Sequence, residues 1–460
     1  MPESVELPDW FDMQGLLLSA YRGLRQARYQ LFRINQGQND FARMWLRRLR
    51  PDITPGLKYE HSFRRCNFNI AMSATGLAKL VDVSTRFSPD VDEVAALLPG
   101  FSQPFVEGIA GDDHRSRILG HVGTNSPDRW SWGSGRTPVD LLLMVFAAPD
   151  DLQAAVDYAA PPPGVMTAIP TDIPLPPTLA WPANGPIREH FGFVDGISQP
   201  ILAGTDEAEQ FPESNHLSAL GEFVFGYKDG AGETCLPMLK DHCTFGKNGS
   251  YLVLSQLAQR VPEFWDFMHR QATDPNEATH LAAKVVGRWP DGTPLVPYVN
   301  RDDNEFGFSE DPYGNGCPIG AHIRRANPRD SFLNTNHPVD SPISSNRHRI
   351  LRRGRSYGER YSEERQNGDT PRGLYFICLN SDIERQFEFI QQNWINNPAF
   401  FGLAGERDPL ISGRRTARMT VPGAPAPVCV SGLDQFVVVQ GAQYFFLPGL
   451  RALEHLVGGP

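Results

Sequence analysis

An α+β fold of two similar units is predicted for this chain by three observations. Short apolar strands lead into helices in both halves. No glycine-rich phosphate loop follows any of these strands, so a parallel doubly wound nucleotide fold has no support. A proline-rich connection too long to belong to a compact α/β repeat lies between the strand–helix pairs.

The first pair is a strand over Phe68 to Met72 and a helix over Thr75 to Asp82. The second runs from Val139–Phe146 into Pro149–Tyr158. Residues 161 to 186 hold nine prolines, which exclude a helix or a central strand and predict an extended connection. A third strand over Gly373 to Leu379 leads into a helix over Ser381 to Trp394, with Ser381 and Glu384 spaced as a capping box. Gln435–Gln440 and Gln443–Leu447 read as two strands around Gly441–Ala442.

The net charge of −10 argues against a nucleic-acid partner. The longest apolar stretch near a strand, Leu141 to Ala148, is far short of the ~20 residues a membrane helix needs. The start, MPESVELPDWFD, lacks a basic segment followed by an apolar run, so a cytoplasmic, non-membrane protein is expected. Six widely spaced cysteines form no CxxC pair. Mostly buried free thiols are expected, rather than a zinc or iron–sulfur site.

Four segments can carry chemistry. In Gly192-Phe193-Val194-Asp195-Gly196, Asp195 reads first as a turn residue, but its apolar flanks give a carboxylate there need of a partner or a task. In Cys317-Pro318-Ile319-Gly320-Ala321-His322-Ile323-Arg324-Arg325, His322 follows small residues and precedes arginines. It is either a satisfied core histidine or an iron ligand, with small residues admitting a flat ring and arginines pairing with its propionates. The run Arg347 to Arg355 is a solvated basic face, or a strand with at least one arginine turned inward by Ile350 and Leu351. In Gly373 to Leu379, alternation places Leu374, Phe376 and Cys378 on one face, as plain core or as the dry wall of a cofactor pocket.

Together and in order, the GxxDG segment at 192–196, CPIGAHIRRANPR at 317–329, RILRRG at 349–354, GLYFICLNSDIERQFEFIQQNW at 373–394 and QYFFLPG at 443–449 resemble the dye-decolourising (DyP-type) peroxidases. GEFVFGY at 221–227, SYLVLSQLAQRV at 250–261 and GRWPDGTPL at 287–295 are similar to the middle of that family, and length and N-terminus look like its larger bacterial branch. The resemblance implies two ferredoxin-like domains with antiparallel sheets, an N-terminal one over 1–220 ending with the GxxDG segment and a C-terminal one over 221–460 holding one haem b. It implies His322 as the iron ligand, with Asp408 as hydrogen-bond partner and Glu406 in competition. It also implies Asp195 as the distal proton acceptor and Arg352 as the stabiliser of developing negative charge. Arg329, Leu374 and Phe376 are expected around the haem. The substrates implied are hydrogen peroxide and a bulky aromatic reductant such as a dye or phenol. Electrons would enter at the haem edge or through a tryptophan or tyrosine; Trp394 is a candidate, although Ile383, Phe387, Ile390 and Trp394 also read as a core stripe. The rival function is a haem-handling or iron-releasing protein on the same scaffold, and oligomeric state is not indicated.

Overall fold

A computed structural model describes residues 7–56, 65–172, 174–297, 304–331, 344–365, 367–413, 418–423 and 426–458. Nine strands make one antiparallel sheet: β1 Gln26–Ile34, β2 Cys66–Met72, β3 Leu141–Ala147, β4 Met166–Ile169, β5 Ser250–Gln259, β6 Leu351–Arg352, β7 Arg355–Tyr357, β8 Gly373–Asn380 and β9 Val437–Leu447. Their order is β4-β1-β3-β2-β9-β5-β8-β6, with β7 also paired to β8. The first four come from the N-terminal half and the last five from the C-terminal half. The two sets meet where Phe446 of β9 pairs with Met72 of β2, so the halves share one sheet.

Alternation along the strands explains how both faces are covered. In β3, Leu141, Leu143 and Val145 enter one core, and Leu142, Met144 and Phe146 the other. The same split puts Val253, Cys378 and Tyr444 on the first face and Leu252, Ile377 and Phe445 on the second. Helices Asn39–Leu49, Ala74–Val81 and Leu152–Ala159 cover the N-terminal part of the first face. A third apolar cluster joins helices Val261–Gln271 and Pro275–Val286 to the loops that carry Phe191, Phe193 and Ala321. The proline-rich connection contributes one short edge strand, β4, which pairs with β1 alone, as proline at an edge allows.

Three expectations are corrected. Residues 437 to 447 are one strand with a bulge between Val439 and Gly441, rather than two strands around a turn. The glycine is there for close approach: a Cβ on Gly441 would lie 2.5 Å from the Trp132 ring. The helix after β8 is wide-turned, with Glu388 N–H donating to the Ile383 carbonyl. It is not capped by Ser381: Asp382 Oδ1 accepts from Arg385 N–H at 2.9 Å, and Gln386 Oε1 reaches back to the N–H groups of Ser381 and Asp382. Of the six free cysteines, only Cys317 and Cys378 are buried; Cys235, Cys243 and Cys429 are exposed because they sit on irregular segments and on a two-stranded ribbon outside the main sheet.

Candidate active site

A cavity of about 360 Å³ opens between the first face of β5, β6 and β8 and the layer of helices and loops over it. It brings together Asp195, His322, Arg329, Arg352, Leu374 and Phe376. On the sheet side, Arg352 pairs with Cys378 in register, so the alternation that aims Cys378 at this face also aims Leu374, Phe376 and Arg352 there.

Asp195 sits in a loop whose two glycines take left-handed backbone, Gly192 at φ +100° and Gly196 at φ +77°, a conformation side chains disfavour. The loop is tied down by Asp195 N–H to the Ile187 carbonyl at 2.9 Å and Val194 N–H to the Pro290 carbonyl at 3.1 Å. Asp195 Oδ1 lies 3.5 Å from Arg352 Nη1. Arg352 is fixed from its own side, with Nη2 donating to the Ile197 carbonyl at 2.7 Å and its backbone N–H to Gln199 Oε1 at 3.0 Å. A carboxylate and a guanidinium are thus held side by side at the cavity wall.

His322 opens the short helix His322–Ala326. Its Nδ1 is 2.9 Å from Asp408 Oδ2. Asp408 is wholly buried, and its Oδ1 accepts from the N–H groups of Leu410 and Ile411, both at 2.9 Å. Burial alone would raise the Asp408 carboxyl, but the charge and hydrogen bond of His322 outweigh it and hold the group below its usual range. Burial alone would lower the imidazole, but Asp408 overcomes that and holds it above its ordinary value. Glu406, the competing candidate, is occupied elsewhere: its oxygens accept from Thr420 N–H and Oγ. With Nδ1 engaged, Nε2 is the ring nitrogen that hydrogen-bonds to nothing among the described residues, an arrangement that sets a histidine to ligate through Nε2.

Residues 224–400 match the family described as Dyp-type peroxidase, C-terminal. The matched stretch carries His322 and Arg352. It is 33% identical over 310 residues to dye-decolorizing peroxidase msp1 of Mycetinis scorodonius, covering 60% of this chain and 58% of that one. It is 33% identical over 304 residues to the multifunctional dye peroxidase DyP2 of an Amycolatopsis species, covering 60% and 62%. A deferrochelatase of Yersinia pestis is 28% identical over 217 residues, 47% of this chain and 42% of that one. The chain thus spans about three fifths of the length of the dye-peroxidase relatives it matches. Among solved structures, an ancestral D-type dye decolorizing peroxidase superposes with TM-score 0.77 at 24% identity, over 98% of this chain and 100% of that one. At that identity the likeness concerns the fold.

The DyP-type family implies haem, and the residues present fit it. His322 lines the cavity with its Nδ1 held by Asp408, which leaves Nε2 for an iron. The cavity also presents unmatched buried cationic surface. Arg349 lines it, is 8% exposed, and has Nε and Nη1 buried with no partner among the described residues. Arg329 Nε is likewise unpartnered, although the rest of its guanidinium is committed to the Asn304 and Phe306 carbonyls and to Ser198. Burial pushes Arg349 down to about 10 and Arg329 to about 9, the signature of cations awaiting anions.

Three features of this site depend on the fold rather than on the local sequence. The basic run divides by partners: Arg349, Arg352 and Arg353 all border the cavity, but the guanidinium groups of Arg353 and Arg355 are committed to backbone carbonyls between Leu16 and Leu24. Glu189 also lines the cavity, half-buried, its carboxylate accepting from the N–H groups of Phe191 and Phe193 and from Gln259. Burial pushes it up to about 7, so a second carboxyl group stands near Asp195. Trp394 is both things at once: it is 5% exposed and packs with Ile390 and Phe400, and it lines the cavity. It also borders a surface hollow with Phe389, Asn393 and Phe401.

Proposed function

We propose that this protein is a haem-dependent peroxidase that reduces hydrogen peroxide and oxidises bulky aromatic substrates such as dyes and phenols. The observation that carries the reading is the Asp195–Arg352 pair, 3.5 Å apart, in the same cavity as a carboxylate-backed histidine. Similarity to two dye peroxidases supports it.

His322 would hold the iron through Nε2, with Asp408 fixing the tautomer, and Arg349 and Arg329 would face the propionates. One haem b per chain would supply the redox-active iron that passes oxidising equivalents from peroxide to the reductant. Asp195 takes the proton from the bound peroxide; its backbone anchors keep the carboxylate within reach of the oxygen that Arg352 faces. Arg352 is preorganised by Ile197 and Gln199, so it meets negative charge developing on the departing oxygen without having to move. Leu374 and Phe376 keep the cavity apolar and small, which admits peroxide and excludes dyes. Bulky reductants therefore act from outside, at a cavity edge or at the hollow beside Trp394.

Haem handling without turnover is the rival, in keeping with the more distant deferrochelatase similarity. It needs neither Asp195 nor Arg352. The test is an absorption spectrum of the purified protein before and after one equivalent of hydrogen peroxide, followed by dye turnover. A haem band that responds to peroxide, with dye bleaching, supports the proposal; haem without either response refutes it.

A further inference from the structure

Away from the cavity lining, a buried polar cluster joins the two halves of the molecule. Tyr444 on β9, fully buried, donates its hydroxyl to Glu388 Oε1 at 2.8 Å. The same oxygen accepts from Arg115 Nη1 of the helix Asp113–Ile118, and Arg115 Nη2 donates to Glu107 at 2.7 Å. Other buried tyrosines donate to groups that do not take protons: Tyr375 to the Pro176 carbonyl, Tyr227 to Asn248 Oδ1. Tyr444 faces a carboxylate, which does.

The sheet register ties this cluster to the catalytic wall. Arg352 pairs with Cys378, Cys378 with Val253, and Val253 with Tyr444. These four residues form one row across β6, β8, β5 and β9, and directly opposed residues share a face. At about 4.8 Å per strand, Tyr444 stands about 14 Å from Arg352 along the sheet. The space between is aromatic: the Tyr444 ring packs edge-on against Phe387 at 6.0 Å, and Phe387 lies 6.3 Å from Phe376. Phe387 and Phe376 both line the cavity.

We propose that Tyr444 is an internal electron donor to the cofactor site, with Glu388 as the acceptor of its phenolic proton. Oxidising a phenol in an apolar interior without losing its proton would leave an unpaired buried cation. Here the O–H bond breaks as the electron leaves, and the proton moves to Glu388 Oε1, leaving a neutral phenoxyl group. Hydrogen peroxide is the oxidant: it takes two electrons and two protons to become two waters. Tyr444 supplies one electron and the aromatic reductant the other; solvent supplies the protons. A later electron from the reductant, with the proton returned by Glu388, restores the phenol. Burial raises the Glu388 carboxyl above its ordinary range in spite of Arg115 and Tyr444, which makes it a readier proton acceptor.

This inference rests on the peroxidase reading, and one experiment separates the two. Holoprotein, wild type and Tyr444→Phe, is mixed with one equivalent of hydrogen peroxide without reductant, freeze-quenched and examined by electron paramagnetic resonance, with ring-deuterated tyrosine incorporated to identify tyrosyl signals. The expected result is a tyrosyl signal in the wild type that falls to background in Tyr444→Phe, with peroxide consumed at the same initial rate in both. Glu388→Gln, which can still accept the hydroxyl hydrogen bond but not the proton, should also lose the signal. A tyrosyl signal that persists in both variants, or none in wild type that consumes peroxide, overturns the role of Tyr444 alone. Absence of haem or of peroxide consumption overturns the peroxidase reading and this inference with it.

Discussion

Replacing Arg352 with leucine keeps the half-buried apolar stem and removes the guanidinium. Two effects of different size follow. On stability, the residue loses an ion pair to Asp195 in which the side chains are 35% and 29% exposed, worth at most about 1 kcal/mol, and a hydrogen bond to the Ile197 carbonyl, worth about 1 kcal/mol. The fold should survive and haem, which we propose is held at His322 and Arg349, should remain. On catalysis, one preorganised electrostatic donor is lost where charge develops, which typically slows the step ~100- to 1,000-fold, about 3–4 kcal/mol. Rate should therefore fall by more than stability does. Stopped-flow absorbance at the haem band after mixing with hydrogen peroxide gives the rate, and thermal unfolding gives the stability. A normal rate in Arg352→Leu together with a collapse in Arg349→Leu or Arg353→Leu would refute the assignment, because the arginine facing the peroxide would then be another one.

His322→Ala should purify mostly without haem, read from the ratio of haem to protein absorbance; full occupancy with an unchanged spectrum would rule out His322 as the ligand. Asp195→Asn keeps the shape and the hydrogen-bonding capacity but cannot take a proton, so the peroxide step should slow markedly and lose its acid-side pH dependence. If a residual rate remains, Glu189→Gln in the same background should remove it, since Glu189 is the second carboxyl group at the cavity; matching rates and pH profiles in wild type and Asp195→Asn would take Asp195 off the catalytic list. Gly441→Ala should destabilise the protein by about 1–3 kcal/mol in chemical denaturation, because the new methyl meets the fully buried Trp132 ring; an unchanged midpoint would mean that the bulge yields freely.

The α+β class is legible in the strand–helix pairs, whereas Asp195, His322 and Arg352 stand out only through the family resemblance; the structure brings the three to one cavity. What sequence could not supply was direction. Asp408 and Glu406 stand two positions apart in an irregular loop, and the choice between them is made by the free N–H groups of Leu410 and Ile411, which exist only once the chain turns there. Arg349, Arg352 and Arg353 are chemically alike. All three border the cavity, and remote partners separate them: the Leu16 and Leu17 carbonyls take up Arg353, while Arg352 stands beside Asp195. Glu189 reads as a loop glutamate because its partners are backbone groups two and four residues on. The bulge at Gly441 reads as a turn in sequence because glycine serves both, and the deciding partner, Trp132, is remote in the chain.

The seam between β2 and β9 bears on how the molecule is made. Met72 and Phe446 are far apart in sequence, yet β9 is the strand that fills the space between the N-terminal set and β5. During synthesis the N-terminal strands can pair among themselves long before residue 447 has left the ribosome, and until then the edges of β2 and β5 both stand open. Open edges of that length recruit other chains, and a closure this non-local is slow. Yield should therefore respond to translation speed and to chaperones that shield exposed strands, even where the finished fold is unaffected.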